Sequence, residues 1–179
     1  NTAIFALAVP VGAFAAAVLA EQHGWGVLRL APMPDWLALL IGILALDAFG
    51  YFSHRVLHAL PALWRLHHVH HSDLDLDFAT TVRHHPLEAL LTVFALSAAT
   101  IAVGVPPESV ALYQPAAVAV DFMSHGNIRI PRWLDGWIRW LFVTPDMHLV
   151  HHSARKCETD SNYGTVLSLW DRLFGTYVA

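Results

Sequence analysis

The 179-residue chain is 56% hydrophobic and only 13% charged, against about 25% charged residues in an ordinary soluble domain. That deficit points to lipid, and a formal net charge of −4 with histidines neutral argues against a nucleic-acid partner. A single cysteine, Cys157, excludes an internal disulfide framework and fits a reducing compartment.

The chain begins at Asn1 and reads as a piece of a longer protein, with no basic stretch in view ahead of its first apolar run. We treat residues 1–179 as a single domain. Residues 2–20 carry no charge, close to the ~20 residues that cross a bilayer core, and a membrane helix tolerates Pro10 better than a soluble one. A polar turn region follows, flanked by Trp25 and Trp36 at positions suited to an aromatic belt. Further apolar runs cover about 36–53, 89–105 and 110–123, the last two joined through Pro106-Pro107-Glu108. Residues 132–144 carry Trp133, Trp137 and Trp140 at helical spacing with Arg132, Asp135 and Arg139. This pattern predicts either an amphipathic helix lying in the membrane interface or a buried aromatic core helix. Nine of the ten basic residues, all but Arg29, fall on the side of the second run's far end, and the positive-inside rule makes that side cytoplasmic.

That side also holds most of the thirteen histidines. They cluster as His54-x-x-x-His58, His67-x-x-His70-His71 and His148-x-x-His151-His152, the last two sharing one pattern 81 positions apart. On a helix, residues three and four apart share a face, so each cluster can aim its imidazoles at one point. Imidazole suits iron, zinc and copper. Eight imidazoles from three segments exceed one tetrahedral ion and predict two metals. His125, after the fourth run and on a face with Asp121, and His85, where the third run begins, are further candidate ligands. His68 and His84 are expected to point away, and His23 belongs to the opposite side. Asp47 shares a helical face with Tyr51, His54 and His58. It is read as an acceptor for a ligand's outer N–H or as a structural partner for an arginine.

The ordered set His54-Arg55-x-x-His58, Pro61-x-Leu63-Trp64-x-x-His67-x-x-His70-His71-Ser72, Arg83-x-His85-Pro86-x-Glu88, His125-x-Asn127 and Pro145-x-Met147-His148-x-x-His151-His152, closed by Asn162-Tyr163-Gly164 and Trp170-Asp171-Arg172-Leu173-Phe174-Gly175-Thr176, resembles the fatty acid hydroxylase and sterol desaturase superfamily. The resemblance runs from about Asp47 to the end, and three residues between His54 and His58 match its sterol-desaturase-like branch. It implies an all-α integral membrane bundle of about four transmembrane helices with a cytosolic histidine-rich cap holding a dinuclear site. The implied activity is hydroxylation or desaturation of a membrane lipid (sterol, fatty acyl or ether lipid) by a non-haem di-iron oxygenase. Two iron ions, O2 and an electron donor (a reductase with a b-type cytochrome, or a ferredoxin) go with it. The implied ligands are His54, His58, His67, His70, His71, His125, His148, His151 and His152, with His85 as a tenth. Asp47, Glu88, Asp121 and Asp146 are in reach by sequence to offset the metal charge, and Asn127 and Asn162 are further candidates around the ligands. Zinc is expected to compete for the site in purified protein. The alternatives are a zinc-dependent membrane hydrolase and a non-enzymatic metal-binding membrane protein. The first needs a general-base glutamate, as in H-E-x-x-H, which both H-x-x-H-H clusters lack. The second, as a transporter, needs ionisable groups deep in the membrane.

Overall fold

Apolar runs punctuated by Gly and Pro set the helix boundaries. The computed structural model describes residues 2–73 and 75–179, with side chains from residue 8 onward. Its nine α-helices among these residues are α1 (Thr2–His23), α2 (Asp35–Ala59), α3 (Pro61–His67), α4 (Pro86–Val103), α5 (Pro107–His125), α6 (Arg132–Ile138), α7 (Pro145–His151), α8 (Lys156–Thr159) and α9 (Leu169–Leu173). Three short 3-10 turns intervene, at Val27–Arg29, His70–Ser72 and Thr80–Val82. The described residues form no named strand; Phe142 and Leu167 make one isolated antiparallel bridge. All-α architecture is thus as expected; the runs at 2–20, 36–53 and 110–123 lie within α1, α2 and α5, and α4 covers the run at 89–105 up to Val103. Among the described residues, α2 (25 residues) and α4 (18 residues) are long and apolar enough to cross a membrane.

The chain divides into two compact units. The first comprises residues 1–49 and 86–115. There α1 packs on α4, with Gly12 against Val93 and Ser97, a small residue that lets two backbones approach, and Ala13, Ala16, Ala17 and Ala20 of α1 are fully or nearly buried. Gly26 and Gly104 are obligatory for a different reason. Both have positive φ (105° and 75°), and a Cβ on Gly26 would fall 2.1 Å from the Gly104 nitrogen. Gly42 of α2 lies against Ser109 of α5, whose hydroxyl donates to the Leu39 carbonyl at 3.0 Å. Further along the same helix pair, the Tyr113 hydroxyl donates to Asp47 Oδ1 at 2.8 Å. Asp47 is therefore a buried acceptor within this unit, with the Tyr113 hydroxyl among its partners.

The second unit comprises residues 50–85 and 116–179. Pro61 and Pro145 each open a seven-residue helix at its first position, where a missing N–H costs nothing. The expected helix over 132–144 is shorter: α6 stops at Ile138. Beyond it the backbone turns to pair elsewhere, Val143 N–H donating to the Val166 carbonyl at 2.9 Å and Ser168 N–H to the Leu141 carbonyl at 3.0 Å. Trp133, Trp137 and Trp140 are 71%, 77% and 65% exposed, which rules out the buried-core reading of this segment.

Candidate metal centre

All three histidine clusters and His125 belong to the second unit. His54 and His58 end α2, His67 ends α3, and His70 and His71 sit in the following 3-10 turn. His125 ends α5; His148 and His151 lie on α7, with His152 as its C-cap. The second cluster therefore converges across a break between α3 and the turn rather than along one helical face. Together these residues form two donor groups whose nitrogens lie within 4.8 Å of one another in each group. His54, His58, His67, His71 and His151 make one; His70, His125, His148 and His152 make the other. The groups touch, His71 stacking on His152.

Hydrogen bonds define the tautomers. A carbonyl oxygen only accepts, so a ring nitrogen facing one carries the proton. His54 Nδ1 donates to the Tyr163 carbonyl (3.1 Å), His70 Nδ1 to Thr80 (3.2 Å), His125 Nδ1 to Asp121 (2.8 Å) and His151 Nδ1 to Ser161 (2.7 Å). His58 Nδ1 faces Asp160 Oδ1 at 3.4 Å. In a neutral ring the remaining nitrogen, Nε2, is then a bare lone pair. Yet His70 Nε2 and His125 Nε2 lie 3.2 Å apart, and His148 and His152 bring their Nε2 atoms to 2.9 and 3.2 Å from His125 Nε2. His54 Nε2 and His67 Nε2 stand 3.1 Å apart in the other group.

On His70 and His125, whose Nδ1 protons are both engaged, the two Nε2 lone pairs face each other and repel unless a cation lies between them. Ligand nitrogens about 2.1 Å from one ion are separated by about 3.0 Å at right angles and about 3.4 Å at tetrahedral angles, and these spacings match that range. His58 Nε2, His151 Nε2, both nitrogens of His71, and Nδ1 of His148 and His152 are buried without a hydrogen-bond partner, each costing about 1–3 kcal/mol if left so. The donor set fits a pair of metal ions.

Burial keeps the rings in the metal-binding form. It pushes His70, His71, His148 and His151 well below the ordinary imidazole range, and His152 down to about 2, with neighbouring histidines adding to the effect. At neutral pH these rings carry no second proton, so a metal at the bare nitrogen displaces none. Tyr163 packs edge-on against His54, His58 and His151; burial first, then Asp160, pushes its hydroxyl up to about 12.

The other expected residues are scattered. His85 is half-buried and in neither group, whereas His84 stacks on His70, centroids 4.5 Å apart and planes 9° from parallel. Residues 83–85 are not helical, so no helical face turns His84 away as expected from the sequence. His68 is exposed, as expected. Asp121 stands beside the centre, its Oδ1 3.3 Å from His125 Nδ1. Asp47 and Glu88 are buried in the first unit. Asp146 is exposed and lines a cleft with Arg132, Asp135 and Arg139. Asn127 is exposed, with φ 49°, just past α5. Asn162, with φ 51°, is fully buried and ties Met147 and Val178 together through its amide. Asp160, Ser161, Thr80 and the Asp171 carboxylate have no role legible in the sequence, because backbone acceptors leave no sequence signal, although Asn162-Tyr163-Gly164 and Asp171 belong to the family-like motifs.

The profile of the fatty acid hydroxylase family matches residues 39–176. Human alkylglycerol monooxygenase is 29% identical over 161 residues, covering 87% of this chain and 34% of the relative. Ornithine lipid hydroxylase OlsE of Rhizobium tropici is 31% identical over 140 residues, covering 78% and 41%. Very-long-chain aldehyde decarbonylase GL1-5 of Oryza sativa subsp. indica is 27% identical over 158 residues, covering 80% and 25%. The chain thus spans well under half the length of these relatives. No solved structure matches it. With histidine groups fit for metal and a family match across most of its length, the chain belongs to the fatty acid hydroxylase family, within the fatty acid hydroxylase and sterol desaturase superfamily.

Proposed function

We propose that this chain carries the catalytic centre of a non-haem di-iron oxygenase that hydroxylates or desaturates one C–H position of a membrane lipid. The observation that carries the reading is the pair of facing Nε2 lone pairs on His70 and His125, 3.2 Å apart, inside two touching groups of imidazoles. His54, His58, His67, His71 and His151 would hold one ion, and His70, His125, His148 and His152 the other. His85 is not assigned to either.

Bound iron would supply the activation of O2 that breaks an unactivated C–H bond, which no acid–base side chain achieves. The chain's own residues do the rest. Asp121, Thr80, Ser161 and Tyr163 hold Nδ1 protons with their carbonyls, so that Nε2 stays free to donate. Burial of His148 and His151 keeps water and protons from the donor nitrogens. Asp121 and Asp160 carboxylates beside His125 and His58 offset positive charge that neutral imidazoles cannot. Neither H-x-x-H-H segment contains the glutamate a zinc hydrolase would use.

Relatives named for alkylglycerols and for ornithine lipid favour a lipid with a long alkyl chain. α1, α2, α4 and α5 would form the membrane anchor, and the nine-to-one bias of basic residues favours a cytoplasmic metal centre, open to a reductase, b-type cytochrome or ferredoxin as electron donor. The test compares lipid extracts of cells expressing the full-length protein or its His151→Ala variant under 18O2. One lipid gaining a single labelled oxygen, or losing two hydrogens without label, only with the unaltered protein is the expected result. Identical lipid profiles under conditions of confirmed metal loading would overturn it.

A further inference from the structure

Two peptide groups of the segment 160–164 are gripped from both sides. The Tyr163 carbonyl accepts the His54 Nδ1 proton, while the amide of the same peptide, Gly164 N–H, donates to Asp171 Oδ2 at 2.8 Å. The Ser161 carbonyl accepts the His151 Nδ1 proton, and the amide of that peptide, Asn162 N–H, donates to the Thr176 carbonyl at 2.9 Å. A trans peptide is planar, with its C=O and N–H pointing opposite ways. Whatever holds the N–H therefore aims the C=O.

The two anchors are one assembly. Thr176 Oγ1 donates to Asp171 Oδ1 at 2.7 Å, and Thr176 N–H to the Asp171 carbonyl at 2.8 Å. Asp171 Oδ1 also takes the Tyr163 N–H at 2.7 Å. With the threonine proton so used, the Tyr51 hydroxyl donates to Thr176 Oγ1 at 2.9 Å, one helical turn before His54. Asp171 is fully buried, and such a carboxylate is tolerated only when its oxygens are hydrogen-bonded. Here three donors reach them.

We propose that Asp171 and Thr176 are positioning residues for one of the two donor groups, acting on His54 and His151 through the Tyr163–Gly164 and Ser161–Asn162 peptides. A carboxylate behind a peptide N–H polarises it and strengthens its carbonyl as an acceptor. An imidazole with a stronger acceptor at Nδ1 is a better metal donor at Nε2. His70 and His125 in the other group rest instead on the carbonyls of Thr80 and Asp121, so the effect is confined to one ion. The inference rests on the two-ion reading above.

The test is Asp171→Asn in the full-length, iron-loaded protein, read by iron stoichiometry, Mössbauer spectrum and the rate of iron release to a chelator. One of the two ions should leave ~10–100-fold faster and the coupled spectrum should give way to that of a single ion, the other ion being released at its original rate. Should Asp171→Asn fail to fold, Thr176→Val removes the hydroxyl bond while keeping the carboxylate, and should show the same one-ion loss, with Thr176→Ser restoring it. Equal loss of both ions from a folded variant, or an unchanged spectrum and release rate, overturns the positioning role alone. Unaltered protein that binds no pair of ions overturns the two-ion reading as well.

Discussion

His71 stacks on His152 with ring centroids 4.3 Å apart and planes 16° from parallel, although each belongs to a different donor group. The two groups thus share packed walls. His151, fully buried on α7, contributes to one group while its helix neighbour His148 contributes to the other. Replacing His151 with Ala should therefore abolish lipid oxidation and remove at least one ion, measured by iron content of purified protein. His68→Ala, on an exposed residue, should leave iron content intact and change stability by less than about 0.5 kcal/mol. Full iron in the His151 variant would remove that residue from the ligand set.

Stability of the metal-free protein should depend on pH in one direction. The folded-state pKa of His70, His148 and His151 lies well below the free value of 6.5, and that of His152 lies at about 2. Above pH 6.5 neither folded nor unfolded chain protonates these rings, so they add no pH dependence. As pH falls below 6.5, the unfolded chain takes up protons that the folded one refuses, and stability is lost, by up to about 1.4 kcal/mol per pH unit for each ring. Denaturation midpoints at pH 8, 7, 6 and 5 would show a plateau and then a decline. A midpoint that rises on acidification would contradict the burial of neutral imidazoles.

Trp133, Trp137 and Trp140 lie exposed on and just after α6, and the guanidinium of Arg172 sits 4.5 Å over the Trp140 ring. Aromatic rings fringed by a cation suit the headgroup boundary of a bilayer. In nanodiscs containing brominated lipid, tryptophan fluorescence should be quenched, and the quenched fraction should fall in the Trp133→Phe/Trp137→Phe protein. Because both rings are mostly exposed, the same substitutions should cost little stability in detergent. An unchanged quenched fraction would place this surface in water.

Tyr113→Phe removes the hydroxyl that donates to the buried Asp47 carboxylate. The expected loss is about 1–3 kcal/mol of stability, seen as a lower melting temperature with iron content unchanged. Loss of iron in a protein of normal stability would instead tie Asp47 to the metal centre.

The histidine clusters were legible because metal chemistry demands a particular side chain, and side chains are what a sequence displays. The helices carrying apolar runs were legible for a related reason, since hydropathy and length act locally. Helical faces do not extend beyond the helices: residues 83–85 are not helical, and His84 meets His70 there. Likewise, α6 ends early because residues 141–143 pair with residues 166–168, a choice made by distant backbone groups.

By itself, the sequence determined the four apolar runs, the deficit of charge and the imidazole-rich clusters, all of which follow from residue type and near-neighbour spacing. Tertiary structure alone decided which histidines share a group, that Asp47 meets Tyr113, and that the histidine tautomers rest on the carbonyls of Thr80, Asp121, Ser161 and Tyr163. The physical reason is that every residue carries the same carbonyl. Which of them faces an imidazole depends on where the folded chain brings it, and no side-chain pattern records that.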